Sequence, residues 1–280
     1  LLVLCLISIA SFGQVTVISP TGDGGFETGT TFAANGWTTV NPANTALWQI
    51  GTAVAGYSGA RGVFVGPNAT TNSYVNTSAR TCHFYRDVTI PAGATNITLS
   101  WLLKGYGESG WDRLLVYTAP TSVTPVANAP ASSSTTITGA TLVYTQGTFP
   151  FSTYTSQSVT LSGVAGTTFR IIFTWQNDAS LGTNPPAAVD NISLTYCPSM
   201  AAITGNTGAI CIGSTLSLAD ATAGGTWVSG NTSVATVVSG TGVVTGVAAG
   251  TALLSYTAGG ICTPATTVVA VNAVSYTHLR

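Results

Sequence analysis

Two carboxylates four residues apart, Glu108 and Asp112, stand in the stretch Gly105-Tyr106-Gly107-Glu108-Ser109-Gly110-Trp111-Asp112-Arg113. Paired carboxylates hydrolyse glycosidic bonds when they flank the bond at about 5–9 Å from each other. A run this rich in glycine reads instead as a hairpin tip. An exposed tip has no water-excluding cleft in which burial would raise an acid's pKa. Asp112 is then expected to pair with Arg113 or to cap the following strand. Tyr106 and Trp111, flanked by glycines on the same tip, offer either a stacking platform for a ligand or structural packing. Tyr106, Glu108, Trp111 and Asp112 together form a candidate ligand-binding set. Sugar recognition needs such an aromatic face beside hydrogen-bonding groups.

Other chemistries have less to work with. Ser58 and Ser109 lie among glycines, but neither completes the G-x-S-x-G elbow of a serine hydrolase. The histidines are His83 and His278, too few for a His-rich metal site, and His83 is next to Cys82. No C-x-x-C occurs, which argues against zinc and dithiol redox chemistry. Lys104 is the single lysine, and without G-x-x-x-x-G-K-[ST] there is no phosphate loop.

Composition narrows the classes further. Charged residues are 5% of the 280, with seven Lys+Arg against eight Asp+Glu and a net charge of −1. A typical soluble protein carries about 25%. Such a chain has no basic footprint for nucleic acid. Mean hydropathy is +0.41, yet beyond residue 12 no apolar run approaches the ~20 residues of a spanning helix. Ala and Val dispersed among Thr, Ser, Gly and Asn produce the positive value.

The elements that must position these residues are strands. Helical periodicity is nearly absent, and short alternating runs recur between Gly, Asn, Pro and Ser punctuation. Asn96–Lys104 aligns Ile97, Leu99, Trp101 and Leu103; Thr168–Trp175 aligns Phe169, Ile171, Phe173 and Trp175; Asp190–Tyr196 aligns Ile192, Leu194 and Tyr196. Each reads as a half-buried antiparallel strand with a Thr/Ser-rich solvent face. Trp37, Trp48, Trp101 and Trp175 are expected in the core, because a domain with few long aliphatics needs their area.

A composition break near Cys197-Pro198-Ser199 predicts two all-β units, residues 15–197 and 202–272. The second contains one acid, Asp220, and no Lys or Arg. Ala127–Thr138, biased to Ala, Pro, Ser and Thr, reads as an exposed loop of the first unit. Leu1–Ala10 followed by Ser11-Phe12-Gly13-Gln14 reads as part of a secretory signal peptide over 1–14, with a buried strand as the alternative. Residues 274–280 break the preceding composition and are read as a non-native, adapter-derived tail, with the start of another strand as the alternative.

Two family resemblances follow from particular motifs. Cys211–Leu218, Gly224-Gly225-Thr226-Trp227, Asn231–Val237 and Gly242–Thr251 resemble the bacterial immunoglobulin-like domains of group 2, which are mostly spacers or adhesive modules. The first unit resembles the cleaved-adhesin, choice-of-anchor J jelly-rolls of Bacteroidetes surface proteins, related in form to MAM domains. The matching residues include Gly25–Gly29, Gly36-Trp37, Gly56-Tyr57-Ser58-Gly59, Asp112–Tyr117, Phe173–Asp178 and Ala188–Leu194. The implied architecture is a jelly-roll β-sandwich followed by an immunoglobulin-like β-sandwich.

The jelly-roll resemblance also implies structural calcium where first and last strands meet. Glu27 and Asp190 would supply hard oxygens beside turn carbonyls, with Asp23 and Asp178 as further ligands. The alternative is that Glu27 and Asp190 accept backbone N–H bonds and cap turns. The four cysteines beyond Cys5 are an even number for an exported chain and allow three connectivities. The preferred one pairs Cys211 with Cys262 and Cys82 with Cys197. The expected function is non-catalytic adhesion or binding of an extracellular carbohydrate or protein, at the cell surface or secreted. Accessory modules of a secreted hydrolase and a structural stalk are the alternatives.

Overall fold

In the computed structural model, residues 14–43, 47–54, 56–74, 79–127, 137–147, 151–180, 184–259 and 262–273 are described. Most of the signal-peptide stretch, the centre of the Ala127–Thr138 loop and the 274–280 tail lie outside them. The chain is all-β and divides into two compact units, one of Thr16–Tyr196 and one that runs from Cys197 onward.

The first unit is built from β1 (Val15–Ile18), β2 (Thr38–Val40), β3 (Leu47–Gly51), β4 (Gly62–Gly66), β5 (Arg80–Thr89), β6 (Thr95–Gly105), β7 (Arg113–Pro120), β8 (Thr141–Gln146), β9 (Phe151–Thr160), β10 (Thr168–Asn177) and β11 (Ala188–Cys197). One sheet runs β3-β4-β11-β6-β9, with β1 also on β11; the other runs β2-β5-β10-β7-β8. Sequence-distant strands pair at the centre of each sheet: β11 lies between β4 and β6, and β10 between β5 and β7. Period-2 alternation explains why these segments bury one face. In β6, Ile97, Leu99, Trp101 and Leu103 point inward, and the residues between them are half-buried.

Aromatic rings fill the space between the sheets. Trp37, Trp48, Trp101 and Trp175 are all buried, as expected. Phe84 stacks on Phe173 at 4.9 Å, Trp48 meets Phe84 edge-on at 4.8 Å, and Trp101 meets Phe173 at 5.4 Å. Two of the indole N–H groups are satisfied inside this core: Trp48 Nε1 donates to the Cys82 carbonyl and Trp37 Nε1 to that of Asp23, both at 3.1 Å. Such pairs add about 0.5–1.5 kcal/mol each beyond simple burial.

The outer face of the second sheet carries a small apolar cluster of Leu115, Tyr117, Ala119 and Ile172 and, next to it, paired polar residues. His83 and Thr174 pair across β5 and β10, and Arg170 bonds Asp87 through both Nε and Nη2. Residues 121–127 lie over this face: the carbonyl of Val123 accepts from Arg170 and that of Val126 contacts His83 Nε2.

The second unit contains β12 (Ala209–Cys211), β13 (Thr215–Ser217), β14 (Thr226–Ser229), β15 (Ala235–Val237), β16 (Val243–Gly246), β17 (Gly250–Thr257) and β18 (Ala265–Asn272). A β12-β18-β17-β14 sheet and a β13-β16-β15 sheet enclose Leu218, Trp227, Val244, Leu254, Tyr256 and Val269. Trp227 and Tyr256 pack at 4.7 Å, and the Tyr256 hydroxyl donates to the Thr222 carbonyl at 2.6 Å.

The cysteine pairing differs from the expectation. Cys197 bonds to Cys262, while Cys82 and Cys211 are free thiols. Strand parity is the reason. On β12, Ile210 points inward and Cys211 therefore outward. On β5, Cys82 shares the inward face with Phe84 and Val88, inside the aromatic core. Burial pushes the Cys82 thiol far above its usual range.

Candidate functional site

The turn after β1 approaches β11 so closely that glycine is needed there. A Cβ on Gly24 would lie 1.8 Å from the Ile192 carbonyl oxygen, and that amide instead donates to Gly24 O at 2.9 Å. This contact brings Glu27 and Asp190 onto one loop, residues 56–61. Asp190 is fully buried; its Oδ2 accepts from the Tyr57 amide at 2.7 Å and its Oδ1 from the Asn191 amide at 2.8 Å. Glu27 Oε1 accepts from the amides of Ala60 (3.0 Å) and Arg61 (2.7 Å), and its Oε2 faces the Arg61 guanidinium at 3.6 Å. Burial pushes the Asp190 carboxyl up to about 6, with the negative Glu27 adding and the amides of Asn191, Tyr57 and Ser58 opposing.

The backbone is shaped around these two acids. Phe26 and Asn191, adjacent to them, adopt positive φ of 58° and 49°. That conformation costs non-glycine residues roughly 1–3 kcal/mol each and persists where the surroundings enforce it. A Cβ on Gly59 would come within 2.6 Å of the Glu27 carboxyl group, and one on Gly56 within 2.3 Å of the Arg61 carbonyl oxygen. The Gly56-Tyr57-Ser58-Gly59 motif is what lets the loop close on both carboxylates.

This donor set fits amides better than a cation. The loop presents N–H groups, and Arg61 already balances Glu27. Asp23 and Asp178, expected as further ligands, are committed elsewhere. Asp23 accepts from the Ser19 amide and pairs with Arg86, and Asp178 bonds Ser180 in the β10–β11 loop. Among the described residues, no three His, Cys, Asp or Glu side chains gather where they could hold a metal ion.

The β6–β7 loop is built differently from the expected exposed tip. Trp111 is 51% exposed, but Asp112 is fully buried and makes no outward contact. Asp112 Oδ2 accepts from the Tyr74 hydroxyl and from the Glu108 amide, the latter at 2.7 Å. Its Oδ1 is buried without a hydrogen-bond partner. Burial raises the Asp112 carboxyl, Asp178 and Glu108 add to the rise, and the bonds from Tyr74 and the Glu108 amide oppose it. Arg113 does not pair with Asp112; its Nε and Nη2 donate to the Gly110 carbonyl at 3.0 and 2.6 Å. Asp112 is thus a strut that fixes the loop.

On the same loop, Glu108 Oε2 lies 3.2 Å from the Ser180 hydroxyl, which is 2.7 Å from Asp178 Oδ2. Tyr106 is half-buried, and its amide donates to the Pro185 carbonyl at 2.8 Å. The structure therefore gathers Glu108 with Asp178 and Ser180, on the loop that also carries Tyr106 and Trp111. Tyr74 and Ser180 carried no local sequence signal, since each reaches the loop only through the tertiary fold. His83 is buried, spends its ring nitrogens on Thr174 Oγ1 (2.8 Å) and the Val126 carbonyl (3.2 Å), and is held by burial at about 4, hence neutral.

No family model and no curated protein matches the chain. Solved structures give distant likenesses. The carbohydrate-binding module TmCBM61, in complex with β-1,4-galactotriose, is 11% identical over 63% of this chain and 97% of its own, with a TM-score of 0.39. The K3 cleaved-adhesin domain of Lys-gingipain from Porphyromonas gingivalis is 15% identical over 65% and 99%, with a TM-score of 0.37. A Stig cyclase from Fischerella sp. is 13% identical over 67% and 100%, with a TM-score of 0.38. At this distance, activity has to be argued from the chain's own side chains.

Proposed function

We propose that the first unit is an extracellular, non-catalytic module that binds carbohydrate through the β6–β7 loop. The single observation that carries this reading is the exposed Trp111 ring on a loop strutted by buried Asp112, whose Glu108 shares the Ser180 hydroxyl with Asp178. An aromatic face takes the C–H face of a sugar, and fixed acceptors take its hydroxyls. With so few charges in the chain, a neutral sugar fits better than a polyelectrolyte. The Cys197–Cys262 disulfide requires an oxidising compartment, which agrees with an exported protein. The second unit, with Asp220 as its one acid, offers no chemistry and serves as a spacer of the immunoglobulin-like kind.

The test is binding of neutral glycans by wild type and Trp111→Ala, measured on an array and by calorimetry. Loss of the stacking ring should weaken any hit by about tenfold, corresponding to ~1.4 kcal/mol. Equal binding by the variant removes this loop as the site, and no binding of any neutral glycan by disulfide-intact wild type overturns the reading.

A further inference from the structure

A second surface lies where the loop held by Glu27 and Asp190 crosses the outer face of the β3-β4-β11-β6-β9 sheet. Tyr57, at the tip of that loop, is 64% exposed. Its ring meets Tyr154 of β9 edge-on, centroids 6.1 Å apart. Lys104, at the end of β6, places Nζ 5.7 Å from the Tyr154 ring centroid. Next to them opens a cavity of about 260 Å³ lined by Ala53, Val54, Asn72, Lys104, Gly105 and Pro185. Of the residues lining it, Asn72 has a buried Oδ1 without a hydrogen-bond partner.

The charges here are unbalanced in a specific way. Among the described residues, ion pairs engage Arg61, Arg86 and Arg170 but not Lys104. The nearby acids do not compensate it: Glu27 faces Arg61, and Asp190 is fully buried with its oxygens on backbone amides. The exposed Tyr57 ring packs on Tyr154, Tyr154 packs on the uncompensated Lys104 ammonium, and Lys104 lines the cavity. An uncharged sugar would use the ring but would leave the ammonium without a partner.

We infer that this surface, formed by Tyr57, Lys104, Tyr154 and Asn72, is a second saccharide site selective for sugars that carry a carboxylate. The pyranose C–H face lies on Tyr57 and the carboxylate pairs with Lys104 at the mouth of the cavity. The inference rests on the carbohydrate reading of this unit but uses none of the residues of the β6–β7 loop.

The experiment compares galacturonate, glucuronate and mannuronate oligomers with their methyl esters, by calorimetry on the whole chain. Wild type should prefer at least one free acid over its ester by about threefold to fivefold, the scale of a solvent-exposed ion pair. The preference should shrink as salt is raised, because exposed charges are screened beyond about 8–10 Å. Lys104→Gln should abolish the preference while melting at the wild-type temperature, and Lys104→Arg should restore it. Tyr57→Ala should weaken acid and ester alike, and Trp111→Ala should leave the preference intact. No preference in wild type for any of the three acids overturns the inference, as does a preference that survives Lys104→Gln. Failure of neutral glycans to bind, with an acid preference that depends on Lys104, would instead overturn only the β6–β7 loop reading.

Discussion

The loops at Tyr57 and Trp111 are variations on one construction. Each is glycine-rich, each turns through a glycine at positive φ (Gly59 at 92°, Gly110 at 85°), and each projects an exposed ring. Each is held by a fully buried aspartate accepting a loop amide at 2.7 Å, from Tyr57 to Asp190 and from Glu108 to Asp112. They differ in what surrounds the buried charge. Asp190 has an amide on each oxygen, with Glu27 as a second anchor neutralised by Arg61. Asp112 keeps one oxygen without a partner and lies near two further carboxylates, Glu108 and Asp178. The first carboxylate is a satisfied clamp. The second is a crowded strut, so removing it sheds electrostatic cost along with its hydrogen bonds.

The largest expected difference is in stability. Asp190→Ala strands the buried amides of Tyr57 and Asn191 and frees the loop, for a loss of about 3–4 kcal/mol. Asp112→Ala loses the Tyr74 and Glu108 bonds but relieves like-charge repulsion, and should cost roughly half as much. Denaturant unfolding of the two variants in parallel decides this; an equal or reversed order would break the distinction between clamp and strut.

A somewhat smaller effect is a pH dependence. The folded Asp190 carboxyl titrates at about 6, above its ordinary value of 3.8. The folded state therefore holds this proton more tightly than the unfolded chain does. Its stabilising contribution is complete below the unfolded pKa and is lost as pH rises through the folded one. The loss amounts to roughly 2–3 kcal/mol between about pH 4 and pH 6–7. Thermal unfolding across that window should show it, and Asp190→Asn should flatten the profile. A profile unchanged in the variant would assign the slope to another group.

The glycines sharpen the comparison on a scale of 1–2 kcal/mol. Alanine at Gly59 must adopt positive φ and also displace the Glu27 carboxyl group from the loop amides. At Gly110 a Cβ meets nothing within 4 Å, which leaves only the backbone cost. Gly59→Ala should therefore destabilise by about 2 kcal/mol or more and Gly110→Ala by about 1 kcal/mol. Comparable values would mean that Glu27 yields freely and is no anchor.

The smallest expected effect is nil. If amides and Arg61 satisfy Glu27 and Asp190, melting should be the same in chelator as in millimolar calcium. A fall in melting temperature with chelator that Asp190→Ala removes would restore calcium to this position, since a ligand of the folded state must stabilise it.

Much of the fold was legible in the chain itself. Alternation in Asn96–Lys104 and Thr168–Trp175 marks strands because side chains of a strand point to opposite faces in turn, and the same parity sends Trp101 and Trp175 into the core. Glycines at 56, 59 and 110 mark loops because only they tolerate the required approach or φ.

Other features depended on tertiary structure because they involve residues with no local relation. Cys262 could meet Cys197 or Cys211 on spacing alone. The inward turn of Ile210 on β12 settled it by pointing Cys211 to solvent. Asp112 reads as a tip residue until Tyr74, thirty-eight positions earlier, is brought against it. Asp178 and Ser180 reach the Glu108 loop only because β10 pairs with β7. Periodicity and backbone tolerance are properties of a segment and can be read from it. Burial of a charge, the partner of a thiol and the neighbours of an exposed ring are properties of the packing between segments, and the sheet order sets them.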